Sequence, residues 1–130
     1  MPAPLGKTPT KRMPNIQVFG TDDSAATRNT LRFFRERRIV VHYVDLRKKP
    51  IARAELQRFV DRLGPGEVLD TGSRAYREQG LEYLSTDTAG IVGRLLADTS
   101  LLKLPLVRYG EQVTAGKAEG TWKAWLAKPR

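Results

Sequence analysis

The spacing of apolar positions changes along the chain, and each change marks an element. Ile16-Gln17-Val18-Phe19-Gly20 alternates apolar with polar residues and ends on glycine, which predicts a short strand. Apolar positions then take helical spacing. Leu31 and Phe34 point inward with Ala26, Thr30 and Phe33 beside them, and Asp22, Asp23 or Ser24 supplies the N-cap. Ile39-Val40-Val41-His42-Tyr43-Val44 is β-branched and aromatic, a second strand. A strand–helix–strand unit of this length implies a parallel pair joined by a right-handed crossover. Pro50 opens a second helix, as the first-turn position permits. Its buried face is Leu56, Phe59, Val60 and Leu63, and Gly64-Pro65-Gly66 stops it.

Residues 67–84 carry a weaker pattern, in which Tyr76, Gly80 and Leu81 fit a short helix and a turn. Thr86 or Asp87 caps the next helix, with Ile91, Val92, Leu95 and Leu96 inward. Gly90 and Gly93 each weaken that helix by about 1 kcal/mol relative to alanine. After Pro105 the period returns to two. Leu106-Val107-Arg108-Tyr109 and Gln112-Val113-Thr114-Ala115 flank Gly110-Glu111 as a hairpin. A last helix sets Trp122, Trp125 and Leu126 at i, i+3 and i+4, the spacing of core packing. The order is β-α-β, a helical insertion over residues 50–100, then β-β-α. This predicts an α/β protein with a mixed four-stranded sheet in the thioredoxin-like arrangement, one domain over residues 15–130. Residues 1–14 read as a flexible basic leader.

Composition narrows the chemistry. The 130 residues contain no cysteine, which excludes disulfides and thiolate metal sites. A single histidine makes zinc binding a poor fit, so no metal is expected. No apolar run approaches the roughly 20 residues of a membrane span, and the leader lacks the apolar block of a signal peptide. The chain therefore reads as cytoplasmic, with no membrane partner. The net charge of +9 favours acidic protein surfaces or polyanions by long-range attraction. The bland alternative is a solvated basic surface.

Four segments in order resemble the arsenate reductase (ArsC/Spx-like) family, the group that includes Spx-type transcription regulators and small glutathione-dependent reductases. They are the Gly20 turn leading to Ser24-x-x-Thr27-Arg28, the run Thr71-Gly72-Ser73-Arg74-Ala75-Tyr76-Arg77-Glu78-Gln79-Gly80-Leu81, the run Leu101-Leu102-Lys103-Leu104-Pro105-Leu106-Val107, and the hairpin ending Gly116-Lys117. The likeness covers residues 15–127. It implies the thioredoxin-like fold, a cis proline at Pro105, and a reactive cysteine at the start of the first helix. Backbone N–H groups and partial positive charge at such a terminus favour thiolate over thiol. Here that position holds Ser24, and a second cysteine of some relatives is Thr27. The arginines that bind the oxyanion in the family are missing from Asp70–Gly72 and from Leu104, with Arg74 nearby but out of register. Arg28 and Lys117 match basic positions of the family.

Ser24 is either a hydroxyl nucleophile or a helix cap. A serine needs an adjacent base, and His42 sits mid-strand with no positioned carboxylate, so the cap reading is preferred. Asp22 and Asp23 suit a helix start and oppose an incoming arsenate. Arg28, Arg32 and Arg35 share one helix face, either a contact surface or a solvated one. Thiol–disulfide exchange needs a thiolate. The expectation is a catalytically degenerate family member with no cofactor, a non-enzymatic binding or regulatory protein. Its contact set is Arg28, Arg32, Arg35 and Lys117, and Ser24 and Pro105 mark the vestigial site. Its partner is an acidic protein surface, with RNA polymerase a candidate through the resemblance alone. The alternatives are a glutathione-dependent arsenate or disulfide reductase that borrows its thiol, and non-specific nucleic-acid binding through the net charge.

Overall fold

A computed structural model describes residues 16–80 and 87–127. The leader, Leu81 and Thr86 lie outside the described residues. The chain runs β1 (Ile16–Gly20), α1 (Ala25–Glu36), β2 (Val41–Asp45), α2 (Arg53–Leu63), α3 (Pro65–Val68), α4 (Arg74–Glu78), α5 (Thr88–Ala97), a 3-10 turn (Thr99–Leu101), β3 (Leu106–Tyr109), β4 (Gln112–Ala115) and α6 (Glu119–Ala127). The four strands form one sheet in the order β2-β1-β3-β4. β1 and β2 are parallel, with Ile16 opposite Val41 and Gly20 opposite Asp45. β3 is antiparallel to both β1 and β4. This is the predicted α/β, thioredoxin-like arrangement.

Strand alternation sends neighbours to opposite faces. Ile16 and Val18 join Phe33, Phe34, Val107, Trp122 and Trp125 in one buried cluster, between the sheet and α1 and α6. Phe19 and Leu106 join Leu56, Phe59, Val92, Leu95 and Leu101 in a second, under the insertion. Trp122 stands 5.4 Å from both Phe33 and Phe34, and Phe19 meets Phe59 edge-on at 5.8 Å. Aromatic contacts of this kind are preferred over face-to-face stacking. The helix with Gly90 and Gly93 forms because burial of Val92 and Leu95 outweighs weak propensity.

Several boundaries differ from the sequence reading. α2 begins at Arg53, with extended Ala52 as N-cap, so Pro50 lies before the helix. Ile51 is buried there and fixes the entry. In α1 the inward face is Thr27, Thr30, Phe33 and Phe34, while Leu31 is only partly buried. β2 begins at Val41 rather than Ile39 because α1 ends in a Schellman closure. Ile39 N–H donates to Phe34 O at 2.9 Å and Arg38 N–H to Arg35 O at 3.0 Å. Arg38 takes φ 60°, a position usually given to glycine. Asp87 is the cap of α5, through its side chain and Gly90 N–H at 2.9 Å.

Candidate functional site at one end of the sheet

The β1–α1 turn, Pro105 and Gly116 converge on one end of the sheet. Phe19 pairs with Leu106, so the next step of the register sets Gly20 opposite Pro105. The Pro105 carbonyl accepts Gly116 N–H at 2.8 Å, which extends the β3–β4 ladder by one residue. The Leu104–Pro105 bond is cis, as the resemblance implied. The segment entering it runs against Val68–Asp70: Lys103 N–H donates to Val68 O at 2.8 Å and Asp70 N–H to Leu101 O at 2.7 Å.

Ser24 caps α1. Its Oγ accepts Thr27 N–H at 3.1 Å and its carbonyl accepts Arg28 N–H at 3.0 Å. Among the described residues, neither a histidine nor a carboxylate bonds to that hydroxyl. His42 is exposed on β2. The turn beside the cap is acidic and tied to its neighbours. Tyr43 Oη donates to Asp22 Oδ1 at 2.8 Å, and Arg47 pairs with Asp23 at 3.0 Å. A hydrogen bond from the Thr21 side chain, with help from Arg47 and Arg28, holds the Asp23 carboxyl below the usual carboxylate range. Two carboxylates, Asp22 and Asp23, thus stand beside the start of α1, where they oppose an incoming anion.

The predicted contact set is spread over the surface rather than gathered. Arg28 folds back, its Nη1 donating to Asp22 O at 2.9 Å. Arg32 and Lys117 line one cavity of about 480 Å³ with Asn29, Glu36, Arg37 and Glu119, over a floor of Phe33 and Trp122. Arg37 is engaged there, its guanidinium 3.8 Å above the Phe33 ring. Arg35 lines a different hollow, beside Arg38 and Val40. Spacing along a helix face cannot show that the start of α6 reaches Arg32 while the end of α1 turns Arg35 toward β2. Pro105 is buried and offers a partner little surface of its own. Arg74 forms an exposed pair with Glu78 at 2.7 Å and does not replace the missing arginines.

Two features escaped the sequence reading. Thr27 is fully buried against Gly20, and its Oγ1 has no hydrogen-bond partner among the described residues. Arg108 is held in the sheet by Glu55 at 2.7 Å, by Gln17, and by Gly110 O at 3.0 Å. A cation inside an otherwise apolar strand was the available signal for that cluster. Among the described residues, no three metal-ligating side chains come together, and no helix is long and apolar enough to cross a membrane.

Solved structures share this fold. A protein described as YFFB has 20 % identity, with 87 % of this chain and 100 % of that one covered and a TM-score of 0.81. An arsenate reductase from Vibrio cholerae has 15 % identity, coverage of 79 % and 90 %, and a TM-score of 0.71. An arsenate reductase (ArsC) related protein from Brucella melitensis has 16 % identity, coverage of 88 % and 96 %, and a TM-score of 0.65. Among curated proteins none matches the chain. The ArsC family profile matches residues 19–125, which spans β1 to α6. The chain belongs to the ArsC family.

Proposed function

We propose that this chain is a non-enzymatic, cytoplasmic ArsC-family protein, which binds an acidic protein surface and acts as a regulator. The carrying observation is the start of α1, where Ser24 serves as a cap and Asp22 and Asp23 flank it. A hydroxyl cannot enter a mixed disulfide, and among the described residues Ser24 has no base bonded to its hydroxyl to make it a nucleophile. The two carboxylates repel arsenate and equally the carboxylates of glutathione, so the residues present do not fit glutathione as a redox cofactor.

What is left is a basic surface. Arg32 and Lys117 face one cavity, whose lining also holds Arg37, Glu36 and Glu119, and make no salt bridge with any described residue, so both can meet a partner's carboxylates. Unsatisfied cations of one sign raise the encounter rate with an acidic partner and set its orientation. RNA polymerase is the partner suggested by the Spx-type relatives.

Two measurements test this reading. The purified wild-type chain, given glutathione and a glutaredoxin, should reduce neither arsenate nor a model disulfide, and turnover above background would overturn it. Affinity capture from native lysate should retain an acidic protein that the Arg32→Glu/Lys117→Glu variant loses. Retention of nucleic acid alone, released by modest salt, points to non-specific charge binding instead.

A further inference from the structure

The outer edge of β2 carries a surface that the reading above does not use. β2 ends the sheet order, so among the described residues it is bonded to a strand on one side only. An open edge presents a row of backbone donors and acceptors to another chain. Two hollows flank it. One, of about 520 Å³, lies at its start and is lined by Leu31, Arg35, Arg38 and Val40. Val40 is 69 % exposed, the one large apolar side chain so exposed among the described residues. The other, of about 370 Å³, lies toward its end and is lined by His42, Tyr43, Lys48 and Lys49 with Asp22 and Asp45.

The charges of this strip are lopsided. Arg35, Arg38, Lys48 and Lys49 make no salt bridge with any described residue. Asp22 and Asp45 accept from neutral donors, Tyr43 Oη at 2.8 Å and Arg47 N–H at 3.0 Å, so both keep their charge and offset Lys48 and Lys49 in their hollow. The excess of positive charge therefore stands at the start of the five-residue strand, where Arg35 and Arg38 share a hollow with no carboxylate in its lining.

We propose that the β2 edge docks an extended acidic segment of a partner protein. The segment adds as a further strand, seats an apolar side chain on Val40, and sets carboxylates against Arg35 and Arg38. Backbone pairing supplies affinity in this mode, and the flanking side chains supply selectivity. Charge complementarity selects this occupant. A second copy of the chain would set two strips of the same net positive sign against each other. The segment 1–14 contains Lys7, Lys11 and Arg12 and no acidic residue, so it too is mismatched. The proposal rests on the β2 edge alone and is independent of the Arg32–Lys117 cavity.

The test uses the full chain, isotope-labelled, and a capped peptide Glu-Asp-Val-Thr-Val-Asp-Glu. Titration should shift the backbone amides of Val41–Asp45. Arg38→Glu and Val40→Glu, both exposed substitutions whose folding the same spectra verify, should each weaken binding about fivefold. Arg32→Glu should leave it within twofold. Of two peptides N-methylated on alternate amides, the one blocked on its pairing side should bind about tenfold more weakly. Equal binding by both methylated peptides would reduce the effect to charge adhesion and overturn the proposal. So would shifts centred on Arg32 and Lys117, absence of binding at millimolar peptide, or a β2-paired dimer that the peptide does not disperse.

Discussion

Trp122 donates its indole N–H to the Thr114 hydroxyl across 2.9 Å, with both side chains buried between the sheet and α6. The bond ties the last helix to the edge strand β4. Thr114→Val keeps the shape and strands the indole N–H, which should lower stability by about 1–3 kcal/mol. Thr114→Ser should keep most of it. Urea unfolding followed by tryptophan fluorescence measures both, and a valine variant as stable as the parent would show the bond to be dispensable.

Gly20 and Thr27 form a second close contact. A Cβ at Gly20 would lie 2.6 Å from Thr27 Cγ2, closer than carbon atoms pack. Gly20→Ala should therefore destabilise the protein by about 1–3 kcal/mol through overpacking. Adding Thr27→Ala removes the two nearest atoms, Oγ1 and Cγ2, and with them a buried hydroxyl that has no partner among the described residues. The double variant should be more stable than Gly20→Ala alone, and thermal unfolding of the pair decides it.

Arg38 closes α1 with a positive φ of 60°. Arg38→Gly relieves the roughly 1–2 kcal/mol that a side chain pays in that region, against a smaller entropy loss. A net gain of about 0.5–1 kcal/mol is expected. The Arg35 and Phe34 carbonyl bonds should persist, which amide exchange of Arg38 and Ile39 can verify.

The phenol of Tyr43 is held above the ordinary tyrosine range, chiefly by burial, then by its hydrogen bond to Asp22 and the charges of Asp22, Asp45 and Asp23. Its pKa is higher folded than unfolded, so the folded state binds the extra proton. The stabilisation is present below the ordinary phenol value of about 10 and fades as pH rises beyond it. Asp22→Asn should lower the pH at which the Tyr43 ring resonances titrate and flatten the alkaline loss of stability. An unchanged titration would remove Asp22 from that role.

Much of the fold was legible because local chemistry and global packing agree. Ser24 caps where a short polar side chain meets an apolar helical period, and the Gly110 turn sits where two alternating runs meet. Pro50 misled because the burial of Ile51 holds the chain extended for two more residues, a tertiary effect. Arg38 gave no signal, since a non-glycine Schellman closure looks like any other polar position. The helix-face arginines were legible as exposed but not as separate, because the surfaces they join belong to segments distant in sequence. Val40 read as a strand interior, yet the helix closure before it leaves it on the rim.

The sheet keeps Phe33, Phe34 and Trp122 on one face and Phe19, Phe59 and Leu95 on the other. Damage to either side should thus be felt largely by itself, with paired substitutions across the divide adding their separate losses. The segment from α2 to α5 can accordingly be rebuilt in length and outer chemistry while α1, α6 and the strands between them keep their own footing.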